Sequence, residues 1–215
     1  MSAKYGGFQS KIVIFVTSIP LPEAPMGRGW ADIQYMYQKV FNLILWNMKR
    51  LFLCSSFADV ANLFVDCAKE DLQGKIIAFI PTASLTEPIR FYVKKGKKAL
   101  EEAGMIVEEV EITQLPKEEI SSILHKCDYI YITGGNTFFL LQELKRKGVD
   151  KIISKQVKLG KLYIGESAGA IIASPDAEYM RSVNFDPIEK APELKDCTSL
   201  DLVDFYTIPH YGNFP

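Results

Sequence analysis

The stretch Leu162-Tyr163-Ile164-Gly165-Glu166-Ser167-Ala168-Gly169-Ala170 decides how this chain folds. Lys161 to Gly165 is an apolar run of strand length, Ala168 to Ala173 reads as an apolar helix, and the junction between them is Gly-X-Ser-X-Gly. In that setting the chain turns sharply at the serine, small neighbours relieve the crowding, and strained backbone exposes the hydroxyl. The first N–H groups of the helix, that of Ala168 included, then face the place where a tetrahedral oxyanion develops, a contribution of roughly 3 kcal/mol. A plain Ser N-cap between turn glycines is the competing reading; the strand-to-helix setting favours Ser167 as a nucleophile.

Outward from this turn the same rhythm repeats. Strands are predicted at 50–54, 75–80, 105–112, 129–133 and 202–208, the one at 105–112 more peripheral because it alternates with acidic residues. Helices are predicted at 58–70, 87–103, 117–126, 137–147 and 149–159, the first with Val60, Leu63, Phe64 and Cys67 on its inward face. Repeated strand-helix units imply an α/β fold with a mostly parallel, doubly wound sheet, whose ligands bind beyond the carboxyl ends of the strands. Residues 1–47 differ in style. They hold Pro20, Pro22, Pro25, Gly27 and Gly29 and an apolar-aromatic segment from Tyr35 to Trp46, and no internal feature ties them to the rest. The domain is therefore expected to run from Met48 to Pro215, with 1–47 an extension of doubtful origin. Because Pro209-His210-Tyr211-Gly212-Asn213 is a loop after a strand, further elements are expected beyond Pro215.

Composition narrows the function. The 215 residues are 48% hydrophobic, enough for one large core, and 25 Lys+Arg against 26 Asp+Glu leave a net charge of −1. That balance gives no footprint for nucleic acid or an anionic membrane, and a small substrate is expected. Cys54, Cys67, Cys127 and Cys197 are widely spaced, which argues against zinc and against a disulfide framework and fits reduced thiols in the cytoplasm. The run Lys11 to Val16 is too short to span a bilayer. No metal and no cofactor is expected, and oligomeric state is open.

A second loop bears on the chemistry. Gly134-Gly135-Asn136-Thr137 follows one strand and begins a helix; paired glycines let backbone approach a ligand, so Gly135 N–H is a second oxyanion donor candidate, with Gly134, Asn136 and Thr137 beside the substrate. A plain βα turn capped by Asn136 or Thr137 is the alternative. Of the two histidines, His125 ends an amphipathic helix and suits a solvated or C-cap role, whereas His210 follows a strand at the same sheet edge as Ser167 and suits a general base. The third member of a triad is open among Asp186, Asp201 and Asp204. Arg181 is the candidate cation for an acidic substrate side chain. Glu166 either repels acidic side chains, attracts a free α-amino group, or turns into solvent.

Gly134-Gly-Asn-Thr-Phe138, Leu162-Tyr-Ile-Gly-Glu-Ser-Ala-Gly-Ala170 and Pro209-His210, in this order, resemble peptidase family S51, which includes dipeptidase E and is related to cyanophycinase. The resemblance covers about residues 48–215. It implies a three-layer sandwich similar to class I glutamine amidotransferases (flavodoxin-like), Ser167 as nucleophile, His210 as catalytic histidine, and hydrolysis of short peptides without a metal. For the acid, the resemblance offers either an Asp between Ser and His, for which Asp186 is nearest, or a Glu from a region after Pro215. The other readings are an impaired fragment or amidotransferase-like binding module, and an α/β-hydrolase esterase, which usually separates its Ser and His by a longer stretch.

Overall fold

In the computed structural model the described residues are 13–17, for backbone only, 49–182 and 186–210. The prolines and glycines of 20–29, the Tyr35–Trp46 segment and Tyr211–Asn213 lie outside them. Six strands form one sheet: β1 (Val13–Thr17), β2 (Arg50–Cys54), β3 (Ile76–Ile80), β4 (Ile106–Glu109), β5 (Tyr129–Ile132) and β6 (Leu162–Glu166). Their order is β1-β2-β6-β5-β3-β4; β2 to β6 are mutually parallel, and β1 pairs antiparallel with β2. That pairing ties residues 13–17 to the sheet, a link the sequence pattern does not reveal.

The helices are α1 (Ala61–Ala68), α2 (Phe91–Glu102), α3 (Lys117–Lys126), α4 (Thr137–Lys147), α5 (Val149–Lys158) and the single turn α6 (Ala168–Ile171). The strands alternate strictly between two apolar layers. Leu51, Leu53, Ala78, Ile80, Ile130, Ile132 and Tyr163 pack with α3, α4, α5 and α6. Phe52, Cys54, Ile77, Phe79, Tyr129, Tyr131, Leu162 and Ile164 pack with α1 and α2. Burial on both faces explains why these strands read as continuous apolar runs. The result is the doubly wound, flavodoxin-like three-layer sandwich expected.

Four local expectations are corrected. Residues 202–208 form no strand: Leu200 N–H donates to Ile172 C=O and Leu202 and Val203 N–H to Ala173 C=O, so this backbone is spent on the turn after α6 instead of a ladder. Asp201 at φ 50° bends the chain there. Leu63 is 43% exposed, because α1 begins only at Ala61 and its inward stripe runs through Val60, Phe64 and Ala68. The segment before α2 is a 3₁₀ turn at Thr82–Thr86, so that helix starts four residues later than its apolar pattern suggests. The helix after Ser167 is shorter than predicted; Ala173 and Ser174 N–H close 3₁₀-type bonds to Ala170 and Ile171 carbonyls just before Pro175.

Candidate active site

The strand order reverses at β3, which has β4 on one side and β5 on the other. Loops from β2, β3, β5 and β6 meet at the carboxyl edge here, as expected of a doubly wound sheet. Ser167 sits directly after β6 at φ 48°, ψ −105°, outside the conformations an L-residue prefers. The motif glycines make the turn feasible. A Cβ on Gly165 would lie 2.5 Å from Gly169 C=O, and one on Gly169 would lie 2.3 Å from Ile132 C=O. Elbow and neighbouring strand therefore touch backbone to backbone. Ser167 N–H donates to Cys54 C=O (2.9 Å), fixing the turn to the end of β2.

Ser167 Oγ lies 3.1 Å from His210 Nε2, within reach for transfer of the hydroxyl proton. Burial holds the His210 imidazole below its ordinary 6.5, so at neutral pH it is the neutral form that faces the hydroxyl. His210 itself takes a left-handed backbone, φ 62°, and its N–H donates to Ser55 Oγ at 3.0 Å. His125 is elsewhere, at the exposed end of α3, with its Nδ1 2.6 Å from Ser121 C=O. Sequence reasoning did not find Ser55: it looks like a turn residue, and its role depends on a contact across almost the whole chain.

The Gly134-Gly135 loop rests on the elbow. A Cβ on Gly134 would be 3.1 Å from Ser167 Cβ and 3.7 Å from its Oγ; Gly135, at φ 135°, packs so closely on the β3 loop that a Cβ would meet Ala83 C=O at 2.2 Å. Among the described residues neither Gly135 N–H nor Ala168 N–H has an acceptor. Tyr92, at the start of α2, closes over this loop, its hydroxyl 3.4 Å from Gly134 C=O and held protonated by burial.

Several expected roles are redistributed. Asn136 is buried and caps α4: its Oδ1 accepts Phe139 N–H (2.8 Å) and its Nδ2 donates to Pro187 C=O (3.0 Å). Thr137 is likewise fully buried, and both residues stand at the start of α4. Asp186 is buried against the same helix start, its Oδ1 accepting Thr137 N–H at 3.0 Å. Burial pushes the Asp186 carboxyl up, opposed by its hydrogen bonds to Thr137, and the contact that places it is with the start of α4. Asp201 and Asp204 are exposed. Arg181 pairs with Glu178 (2.5 Å) on a surface 3₁₀ turn and offers no free cation to a substrate.

Glu166 turns into the protein, 3% exposed. Its carboxylate accepts Tyr131 O–H (2.7 Å), Phe57 N–H (2.9 Å) and Gly134 N–H (3.4 Å), bridging β5, the turn after β2 and the glycine loop. Burial pushes its pKa up, opposed by these three donors. It does not face solvent. A β6 buried on both faces gives no alternation from which this direction could have been read.

Comparison with known proteins now bears on this geometry. The sequence model of peptidase family S51 matches residues 51–215. The chain belongs to that family. An uncharacterized peptidase of Listeria monocytogenes is 55% identical over 168 residues, covering 78% of this chain and 80% of its own, and one of Pasteurella multocida is 49% identical over the same length. Peptidase E of Shewanella amazonensis is 33% identical over 136 residues, 63% of this chain and 54% of its own. The crystal structure of a candidate peptidase E protein from Listeria monocytogenes superposes with a TM-score of 0.74 at 55% identity, over 77% of this chain and 80% of its own. A peptidase from an acI-B1 actinobacterium shares the fold at 20% identity, TM-score 0.56, over 76% and 69%. This is thus an S51 peptidase domain in which the elbow and glycine loop lie at one sheet edge. Among the described residues no helix is long and apolar enough to cross a membrane.

Proposed function

We propose that this S51 chain hydrolyses short peptides, dipeptides among them, through an acyl-enzyme on Ser167. The observation that carries the reading is the 3.1 Å approach of His210 Nε2 to Ser167 Oγ at a strained strand-to-helix turn. As Oγ bonds to the substrate carbonyl carbon, His210 takes the hydroxyl proton and the carbonyl oxygen becomes an anion received by Gly135 and Ala168 N–H. The C–N bond then breaks and His210 returns the proton to the departing amine. Water, deprotonated by the same imidazole, attacks the ester carbon, and the acid product leaves as Ser167 regains its proton. The mechanism uses the Ser–His pair; Asp186 acts at the start of α4.

Incubation with a panel of dipeptides, acidic first residues included, tests this together with labelling by a fluorophosphonate. Turnover and a phosphonyl adduct on Ser167 are expected for the native chain, and neither for Ser167→Ala, which should keep the native circular dichroism. Undiminished turnover in Ser167→Ala would exclude the mechanism, and turnover of esters alone would shift the substrate class.

A further inference from the structure

The turn after β2 is used by every part of the site. Cys54 C=O receives Ser167 N–H, Phe57 N–H reaches the Glu166 carboxylate, and Ser55 Oγ, 4% exposed, receives His210 N–H at 3.0 Å. The last contact differs from the other two. His210 holds a left-handed φ of 62°, a strained conformation that a non-glycine residue keeps where its surroundings enforce it. The loop leading to it contributes no ladder bonds, since residues 202–210 lie outside the sheet. A loop free of the sheet has no ladder to fix where its last residues fall. A buried hydroxyl directly after a strand does, because β2 is an inner strand, flanked by β1 and β6.

We infer that Ser55 is a positioning residue of the catalytic base: its hydroxyl, accepting His210 N–H, holds the strained backbone that brings Nε2 to Ser167 Oγ. This rests on the Ser167–His210 reading of the site but not on turnover. Ser55 touches no reacting atom; it acts through His210. A base displaced by about 1 Å loses on the order of a hundredfold in rate, and a histidine released from its buried seat titrates closer to the free imidazole value.

The chain offers a convenient internal control, because its two histidines lie apart. Proton NMR titration of the imidazole resonances, assigned with His125→Gln and His210→Gln, follows both in Ser55→Ala, Ser55→Thr and the native chain, alongside dipeptide kinetics and thermal midpoints. In Ser55→Ala the His210 titration is expected to move up toward 6.5, and kcat is expected to fall ten- to a hundredfold with KM little changed. Ser55→Thr, which keeps the hydroxyl, is expected to restore both. An unmoved His210 titration in Ser55→Ala overturns the inference whatever happens to kcat, as does a Ser55→Thr chain as impaired as Ser55→Ala. A shifted His210 titration in a chain whose native form cleaves no peptide leaves the anchor standing and refutes the peptidase reading instead.

Discussion

At the scale of single residues, the site depends on what is missing as much as on what is present. Gly134 lies against Ser167, and a methyl group there would sit 3.1 Å from its Cβ. Gly134→Ala is therefore expected to lower kcat by roughly tenfold or more and to lower the thermal midpoint as well, since Ser167 Cβ moves only with the packed backbone of the elbow. Steady-state kinetics with a melting curve separates the two effects. The meeting of Ser167, His210 and the two glycines at one sheet edge was legible from the sequence because it follows from local pattern: an elbow between strand and helix, a histidine after an apolar run, a paired glycine after a strand. Ser55 and the inward turn of Glu166 were not. Each is defined by a partner far along the chain, and a serine in a turn or a glutamate in a doubly buried strand has no local signature of such a partner.

At the scale of elements, α4 is the best-anchored helix near the site. Asn136 caps it through Phe139 N–H, Asp186 takes Thr137 N–H, and Gly148 ends it in a left-handed conformation. Asn136→Ala is expected to cost about 1 kcal/mol or more in urea denaturation, the usual worth of such a cap, plus the loss of its bond to Pro187. Asp186→Asn is expected to lower stability while retaining most of kcat, in contrast to His210→Ala, which should abolish turnover; equal loss in the two variants would return Asp186 to the catalytic group. The element that sequence reasoning misplaced, 202–208, shows why pattern has limits. Its apolar residues are truly half-buried, Leu202 and Val203 inside and Asp204 and Tyr206 outside, but burial pattern does not say where the backbone hydrogen bonds go. Here they go to the turn after α6.

At the scale of the whole molecule, the three-layer order was readable because each buried strand is a continuous apolar run separated by an amphipathic helix. The attachment of 13–17 to β2 was not, since one short apolar run offers no partner. The pH response belongs to this scale. His210 is held below 6.5 by burial, so the acid limb of kcat/KM is expected below that value, and a limb at or above it would contradict a buried base. The same shift acts on folding. The unfolded chain protonates this histidine first, so its contribution to stability is complete above 6.5 and is lost as pH falls toward the lower native pKa. Glu166 runs the other way: its raised native pKa favours the protonated fold, a contribution full below 4.5 and lost as pH rises through the native value. Denaturation midpoints across pH 4 to 8, compared between the native chain, His210→Gln and Glu166→Gln, resolve the two.

The contact between Glu166 and Tyr131 reaches further than the active site. The Tyr131 hydroxyl occupies the notch left by Gly96 in the middle of α2, where a Cβ would lie only 2.7 Å from it. Replacing a mid-helix glycine by alanine ordinarily gains about 1 kcal/mol. Here the added methyl would push the phenol off its carboxylate, and with it loosen the hold of that carboxylate on Gly134 N–H. Gly96→Ala is thus expected to reverse the usual sign, lowering both the melting temperature and kcat. A stabilisation campaign that treats helix glycines as free improvements would, at this one position, trade catalysis for nothing.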